Sequence, residues 1–579
     1  MSSAAASPST TGTWSTVYSW PDVAIHMSVL PDGRVLTYAD DDNPMYTVNG
    51  TRLAGSTKTY VIDLPSMGVP GAISDLPQTR TNMFCSGHTF LGDGRLLVIG
   101  GHLGHDGWGE PRCELFDYRA YGWQAIDDMA EGRWYPSGCS LANGEVVAMS
   151  GSQDTLGTSA SIPEIWSPVT QNWRQLTNAN RVLAYYPFAI LAPNGKVFVA
   201  GPDAGTYYLD CSGLGNWTLV ANHKLASQRS YGSAIQYGDG KILVIGGVDP
   251  PTNTCETIDL TQATPAWSST GSMAFARRQM NATILADGSV LATGGTSGSG
   301  FNNNTGAVLM AELWNGSTWT QMVSMATPRL YHSTAALLPD GRVLSAGGGR
   351  PKADNGGADH WDAEIYSPAY LFKGARPTIS SAPTVVNNGV AFDIQTPDAA
   401  SITQVNLVKL SSVTHAFNQS QRFNRLSFSV GSGQLTATVP ASTSLAPPGH
   451  YMLFILNGTG IPSVAQIIQV VPPGPVAVED DASTPLLDFM ALRSGNPMTH
   501  GAARISFVLS QTGFGRVDLL DVTGRLVKTL DQGYYEAGRE RVVIWDGTDA
   551  TGARAPNGVY WYRLRTPTLT RTGKLALAR

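Results

Sequence analysis

The sequence predicts an all-β protein dominated by a seven-bladed β-propeller, and three observations carry that expectation. Only 14% of the 579 residues are charged, while 63 are glycine, 35 proline and 14 tryptophan. Glycine and proline punctuate short strands and aromatic side chains fill sheet faces, so the mix favours sheets over helices. An Asp-Gly or Asn-Gly pair, then an apolar strand, then usually a glycine pair returns seven times. The copies begin at Asp32, Asp93, Asn143, Asn194, Asp239, Asp287 and Asp340. Their steps of 61, 50, 51, 45, 48 and 53 residues lie near the kelch period of about 50.

Each element follows from that frame. Asp-Gly and Asn-Gly favour the type I′ turn between antiparallel strands, so each copy marks a hairpin. Stretches such as Cys113–Asp117 and Ala363–Tyr366 supply further strands, four to a unit. The strand-like Trp14–Tyr18 is expected to close the ring with the last blade, and the propeller is expected to span residues 1–375. Residues 376–471, with alternating strands at Gln404–Leu410 and Tyr451–Leu456, read as an immunoglobulin-like sandwich. Residues 472–485 read as a proline-rich linker, and 486–579 as a second small β-sandwich. Within the latter, Val517–Val527 and Trp545–Tyr562 resemble the FlgD-type immunoglobulin-like domain, which implies attachment or sorting.

Several classes are set aside. A net charge of −6 with no basic stripe argues against a nucleic-acid partner. No apolar run reaches transmembrane length. The opening Met1–Thr11 has neither a basic segment nor an apolar core and does not read as a secretory signal. That leaves a cytosolic protein or a chain without its targeting segment. Five cysteines, Cys85, Cys113, Cys139, Cys211 and Cys255, are too few and scattered for a disulfide scaffold. Cys211 and Cys255 are the pair open to bridging in an oxidising compartment.

The innermost strand of a blade precedes the Asp/Asn-Gly turn, so counting back eight residues samples equivalent positions around the axis. From the second copy onward the column reads Cys85, Tyr135, Tyr186, Tyr231, Gln279 and His332, with Tyr331 one step earlier. An ordinary column would hold Val, Ala and Ser; a thiol, three phenols and an imidazole mark a site. Singly, these residues have bland readings. A buried cysteine is usually a small hydrophobe, and His415 alone reads as a surface histidine. His88 reads as a hydrogen-bonded core residue, and His102 and His105 as members of a solvated loop.

Four segments, Asn82–Gly87, Arg133–Ser137, Arg329–Ser333 and Val413–Arg422, resemble in order and type the copper radical oxidases, the galactose oxidase and glyoxal oxidase family. The resemblance runs to about residue 471. It implies a thioether between Cys85 and Tyr135, forming a redox-active radical cofactor, and one copper held by Tyr135, Tyr331, His332 and His415. Tyr331 is then the axial ligand and the base that takes the alcohol proton. The radical on Tyr135 takes a hydrogen from carbon, and O2 leaves as H2O2. The implied partners are a small alcohol or aldehyde, or a carbohydrate, and O2. The implied location is extracellular or cell-surface, and the chain is expected to be a monomer without a membrane span.

Chemistry agrees with that implication. Imidazole nitrogens and phenolate oxygens in a tetragonal set suit Cu(II) better than zinc. Alcohol oxidation removes two electrons where copper carries one, so a second one-electron carrier is required. His415 lies outside the propeller, so its domain must send a loop up the central channel, tying it to the ring. The family's stacking tryptophan has Gln153 at its expected place, leaving Trp134 or Trp108 to shield the radical. Tyr186, Tyr231, Arg229, Arg278 and Arg329 are the candidate substrate rim. The sequence has no room for the family's sugar-binding domain ahead of the propeller, so a small aldehyde or simple primary alcohol is expected at least as readily as galactose. The competing reading is a non-catalytic kelch propeller that binds glycans or proteins at the cell surface.

Overall fold

The computed structural model describes residues 7–39, 47–48, 51–52, 57–64, 73–76, 81–103, 106–224, 228–349, 359–473, 489–492, 498, 502–509, 513–535, 541–566 and 570–579. The expectation for His105 falls outside them. Residues Met1–Gly474 form one compact unit and Pro475–Arg579 another.

Up to Ser367 the chain is laid out in antiparallel sheets of up-and-down strands, as in Gly87–Phe90, Leu96–Ile99, Cys113–Asp117 and Gly122–Ala125. Among the described residues seven sheets of at least four strands follow one another in this way. Inner strands of successive sheets pack side by side, as Gly87–Phe90 does on Ser137–Ser140 and Arg278–Ile284 on Ser333–Leu337. Ser333–Leu337 in turn meets His26–Val29, the inner strand of the first sheet, which closes the ring. Thr13–Trp14 and Tyr18–Ser19 pair with Asp362–Ser367, so the start of the chain completes the edge of the last sheet.

The repeated Asp/Asn-Gly pair makes a different turn from the one expected. In the copy at Asp32, Gly33 N donates to Leu30 O at 2.9 Å and Leu30 N to Arg34 O at 2.8 Å. Gly33 has φ +87°, while Asp32 is absent from the positive-φ residues. A type I′ turn needs φ above zero at both central residues, so this is a type I turn closed by a glycine bulge. Pro31, with its ring-fixed φ, sits at the first central position. In six copies, all but that at Asp239, the side chain of the repeat's first residue caps the turn, as Asp93 Oδ1 accepts from Arg95 N at 3.0 Å and Asn143 Oδ1 from Glu145 N at 3.1 Å.

A second recurring feature sits inside the blades. Arg133, Arg229, Arg277 and Arg329 are each at most 1% exposed. They meet Glu164 at 2.9 Å, Glu256 at 2.5 Å, Glu312 at 2.7 Å and Asp362 at 2.5 Å. The carboxylates also hold the strand that enters the blade: Glu164 accepts from Ala130 N at 2.8 Å and Glu364 from Ala326 N at 2.8 Å. Buried charges persist only when paired and hydrogen-bonded, and these pairs pin the entry of each of these four blades to its third strand.

Beyond Ser367 a sandwich follows, its strands in the order Val385–Asn387, Gln466–Val471, Gly449–Asn457, Ile402–Lys409, Phe423–Val430, Gln434–Thr438, Ala391–Gln395. Its own core includes Ile394, Val405, Leu407, Leu453 and Ile455. Val408, Leu410, Val413, Phe423 and Phe454 belong instead to the same apolar cluster as ring residues such as Ile284 and Leu337. Between two sandwich strands the chain leaves as the hairpin Ser412–Thr414 and Phe417–Asn418. Its first arm pairs antiparallel with the inner strand of the first sheet, His26 opposite Thr414. The turn of that hairpin is His415-Ala416.

The second unit contains a sheet of Phe489–Leu492, Ala503–Val508 and Arg541–Trp545, and another of Leu526–Tyr535, Gly513–Leu520, Gly558–Arg565 and Thr570–Leu577. Ile505, Phe507, Leu519, Trp545 and Leu575 are in its core. Among the described residues no helix is long and apolar enough to cross a membrane. Cys211 and Cys255 are not bridged to each other. Cys255 begins the strand Cys255–Asp259, whereas Cys211 packs against the cluster that holds Cys139 in the neighbouring sheets.

Candidate metal centre

The column read eight residues before each turn is a structural ring. Cys85, Tyr135, Tyr186, Tyr231, Gln279 and His332 have φ of 62, 65, 46, 57, 57 and 69°, and Ala24, the same position in the first sheet, has 47°. Left-handed backbone at a non-glycine residue costs of order 1 kcal/mol and often marks a functional site. Here it recurs at Ala24 and Gln279 as well, so it belongs to the architecture. It is the kink at which each inner strand begins. Backbone hydrogen bonds run from kink to kink: Tyr135 N to Cys85 O at 3.0 Å, Tyr186 N to Tyr135 O at 3.0 Å, Gln279 N to Tyr231 O at 2.8 Å. Neighbouring column residues are thereby brought together whatever their side chains.

Two phenols and two imidazoles converge there. The hydroxyls of Tyr135 and Tyr331 are in direct contact. The Tyr331 ring stacks on His332 at 3.7 Å between centroids, and His332 meets His415 at 4.6 Å. Tyr135 lies 4.7 Å from His415. Cys85 is fully buried in a cluster with Phe84, Tyr135 and Tyr186. Among the described residues no three His, Cys, Asp or Glu side chains form a metal cage; the convergent set consists of imidazole and phenol.

Hydrogen bonds settle how the imidazoles present themselves. His332 Nδ1 donates to Gly349 O at 2.8 Å, leaving a lone pair on Nε2. Thr414 Oγ1 spends its proton on Ile25 O at 2.9 Å and lies 2.6 Å from His415 Nδ1. It must therefore accept from Nδ1–H, so His415 Nε2 also carries a lone pair. That buried atom has no hydrogen-bond partner. Backbone and hydroxyl partners on the far ring nitrogen are the usual way a metal-ligating histidine is aimed.

Electrostatics point the same way. Burial, with His332, His26 and His88 nearby, holds His415 well below the ordinary imidazole range. Burial, with Cys85 and Tyr331 nearby, holds the Tyr135 phenol well above its ordinary range. Neutral imidazoles and phenols that cannot ionise unaided make a pocket of donor atoms lacking positive charge. A divalent cation supplies what they lack, and nitrogen with phenolate oxygen fits copper. The residues present therefore fit a copper ion.

His88, expected as a core histidine, is one, and it has a partner that sequence reasoning missed. Its Nε2 lies 3.1 Å from His26 Nδ1, and His26 Nε2 accepts from Cys85 N at 3.2 Å. The pair backs the cysteine from the interior. His102 is buried, 5.6 Å from the Phe84 ring, and pairs with Asp106 at 3.8 Å, so it is not part of a solvated loop.

The expected rim divides. Tyr135, Tyr186, Tyr231 and His415 line a cavity of about 320 Å³ together with Tyr185, Phe188 and others. Arg278 reaches the same neighbourhood, 5.0 Å over the Tyr231 ring and 2.7 Å from Asp249. Arg229 and Arg329 do not, because their guanidiniums are the buried blade pairs described above. Gln153 is turned into its own loop, donating to Ser159 O at 3.3 Å. The place over the Tyr135 ring is taken by Trp134, stacked at 3.7 Å and 9°. Phe301, 42% exposed and 4.5 Å from Tyr331, and Tyr185, also 42% exposed, complete the mouth. Nothing in their local sequence marked them.

Comparison with known proteins agrees with this geometry. Residues 376–470 match the family described as galactose oxidase-like, early set domain; residues 248–370 match glyoxal oxidase N-terminus; residues 495–568 match the FlgD Ig-like domain. A galactose oxidase of Gibberella zeae is 30% identical over 499 residues, covering 79% of this chain and 70% of that protein. Aldehyde oxidase GLOX of Vitis pseudoreticulata is 30% identical over 450 residues, covering 68% of this chain and 82% of that protein. A solved structure of a fungal alcohol oxidase of the AA5 family, in complex with copper, superposes with a TM-score of 0.71 at 25% identity. It covers 80% of this chain and all of that one.

Proposed function

The chain belongs to the copper radical oxidase family, and from that premise we propose that Tyr135, Tyr331, His332 and His415 hold its copper and that Cys85 and Tyr135 form its thioether radical cofactor. The observation that carries the assignment is the meeting of Tyr135, Tyr331, His332 and His415 with both imidazole Nδ1 atoms already occupied.

When bound, copper supplies a Lewis acid and one of the two oxidising equivalents that alcohol oxidation needs; the cross-linked phenol supplies the other. Joining Cys85 Sγ to a ring carbon of Tyr135 removes one S–H and one C–H hydrogen, two protons and two electrons that O2 accepts. The sulfur substituent then lowers the potential of the phenol, and Trp134, stacked on it, covers the ring from water. Tyr331 takes the hydroxyl proton of the substrate, and its oxygen already touches that of Tyr135. Tyr135 in radical form takes the hydrogen atom from the same carbon. Reduction of O2 to H2O2 returns the site to its starting state.

The cavity beside Tyr135 and His415 contains no carboxylate, ammonium or guanidinium among the described residues. It is walled by Tyr185, Tyr186, Phe188 and Tyr231. That lining favours an uncharged primary alcohol or aldehyde with an apolar or aryl body over a carboxylate-bearing substrate. We propose that it acts outside the cell or on its surface, a reading supported by the FlgD Ig-like match, which would serve as the attachment or sorting element.

The test is direct. Copper-loaded protein is expected to bind one copper per chain, release peroxide from benzyl alcohol or a small aldehyde, and run with altered mobility on a denaturing gel. Cys85→Ser is expected to lose the mobility change and the peroxide together. Peroxide release undiminished in Cys85→Ser rules out the cofactor assignment.

A further inference from the structure

The same hairpin that carries His415 at its turn closes a second, smaller cavity at its root. Its volume is about 30 Å³, and Cys139, Gln236, Lys409, Asn418, Gln419 and Arg422 are in its wall. A cavity of that size holds a water or one monatomic ion.

Its polar inventory is one-sided. Lys409 and Arg422 are 3% and 4% exposed, and no carboxylate lines the cavity. Arg422 spends both terminal nitrogens on the carbonyls of Ser444, Leu445 and Leu191 at 2.6, 2.9 and 2.7 Å. Asp239, whose charge acts on Arg422, accepts from Asn424 Nδ2 at 2.7 Å and does not face the cavity. Asn418 Nδ2, Gln419 Nε2, Gln236 Nε2 and Ser420 Oγ are buried without a hydrogen-bond partner. The acceptor atoms of Asn418 and Gln419 are by contrast fully used. Asn418 Oδ1 takes Ser412 N, Ser420 N and Gln421 N, and Gln419 Oε1 takes Gly138 N and His88 N. The amides cannot be reversed without breaking those bonds, so their NH2 groups must remain turned away as unspent donors.

Two cations and four orphaned groups able to donate surround this space, against Gln236 Oε1 and the lone pairs of Ser420 Oγ and no carboxylate, so the space lacks negative charge. An unmade buried hydrogen bond is destabilising, and a buried ammonium without a counter-charge is more so. Burial and Arg422 together push Lys409 down to about 7, which is the expense an anion relieves. We infer that this cavity is a binding site for one small monovalent anion of the halide type, seated among Lys409, Asn418, Gln419, Gln236 and Ser420. The site joins the sandwich (Lys409, Arg422) and its hairpin (Asn418, Gln419, Ser420) to the ring (Gln236, Cys139). The anion is thus an internal cross-brace beneath the His415 turn, separate from the copper chemistry.

Crystals of the full copper-loaded chain soaked in sodium bromide test it: an anomalous bromine peak in contact with Lys409 Nζ is expected. In solution, the melting temperature at constant ionic strength is expected to rise saturably when gluconate is replaced by chloride or bromide. Lys409→Met should weaken the fitted halide affinity about tenfold or more, the worth of one charged hydrogen bond. Should Lys409→Met not fold, Gln236→Leu, which leaves both cations in place, is expected to weaken it in the same direction by a smaller factor. A bromide soak with no peak in this cavity, or a halide response unchanged in the foldable variant, overturns the site in favour of water. Either result leaves the copper assignment untouched, because copper content and peroxide release are read separately.

Discussion

Two sets of residues recur around the ring, two or three positions apart, and they have opposite fates. Arg133, Arg229, Arg277 and Arg329 repeat one chemistry, and each stays inside its own blade, bound to that blade's carboxylate. Cys85, Tyr135, Tyr186, Tyr231, Gln279 and His332 share only a backbone conformation, and their side chains meet across blades. The arginines show one way the architecture ties a blade's entry to its third strand, used in four of the seven copies. The column shows where the architecture leaves the side chain free, and that is where a site can be built from unlike residues. Arg277 and Arg278 carry the contrast in adjacent positions: the first is a blade pair, the second overhangs Tyr231.

The strongest way to break this contrast is at Cys85. Cys85→Ser keeps the kink and is expected to keep copper, while peroxide release falls by about a thousandfold or more, the scale seen when one member of a catalytic unit is removed. Peroxide assay and copper analysis on the same preparation check it. The next effect falls on stability. Glu256→Gln strands Arg229 and is expected to cost about 3–5 kcal/mol, as for other broken buried pairs, with the activity of the folded fraction unchanged. Denaturant melts and specific activity separate the two.

The same variant carries a pH signature. Burial pushes the Glu256 carboxyl up, but His223 and Arg229, at 3.2 and 2.5 Å, outweigh it and bring it down to about 2 from an ordinary 4.5. A depressed carboxyl stabilises the fold above its unfolded value and loses that contribution as the pH falls from about 4.5 towards 2. The stability gap between the native chain and Glu256→Gln should therefore close on acidification through that window; a gap that widens refutes the pairing.

Smaller effects sharpen the column side. Thr414→Val removes the acceptor that aims His415 and is expected to weaken copper binding about 10–100-fold, the usual worth of such a partner, measured by chelator competition. Arg278→Ala, at the rim, is expected to raise KM by only about three- to tenfold with kcat nearly unchanged. A large loss of kcat would move Arg278 from the rim into the chemistry.

The column was legible because the turn that numbers it is a local event. An Asx side chain capping the turn and a glycine bulge need no distant partner, so the eight-residue offset survives from blade to blade. The type of turn was misread, because Asp-Gly is compatible with both geometries; a proline ahead of the pair, which favours the type I turn, is present only at Pro31, Pro193 and Pro339. Arg229 and Arg329 were misplaced for a related reason. An arginine beside a site residue reads alike whether it faces a channel or a glutamate on a strand some 30 residues away, and only pairing tells which. The His26–His88 pair behind Cys85 and Phe301 at the mouth depend on side chains from different sheets or loops, whereas Trp134 stacks on its own chain neighbour Tyr135 and was legible as a candidate.

Sequence alone determined the repeat and the residues of the column, since these rest on turn chemistry and strand periodicity that short segments carry within themselves. Tertiary structure alone decided which nitrogen of each histidine keeps its lone pair and which arginines are walls. Those outcomes are hydrogen-bond and packing partnerships between segments up to some 390 residues apart, such as Thr414 with Ile25, and no local stretch encodes its distant partner.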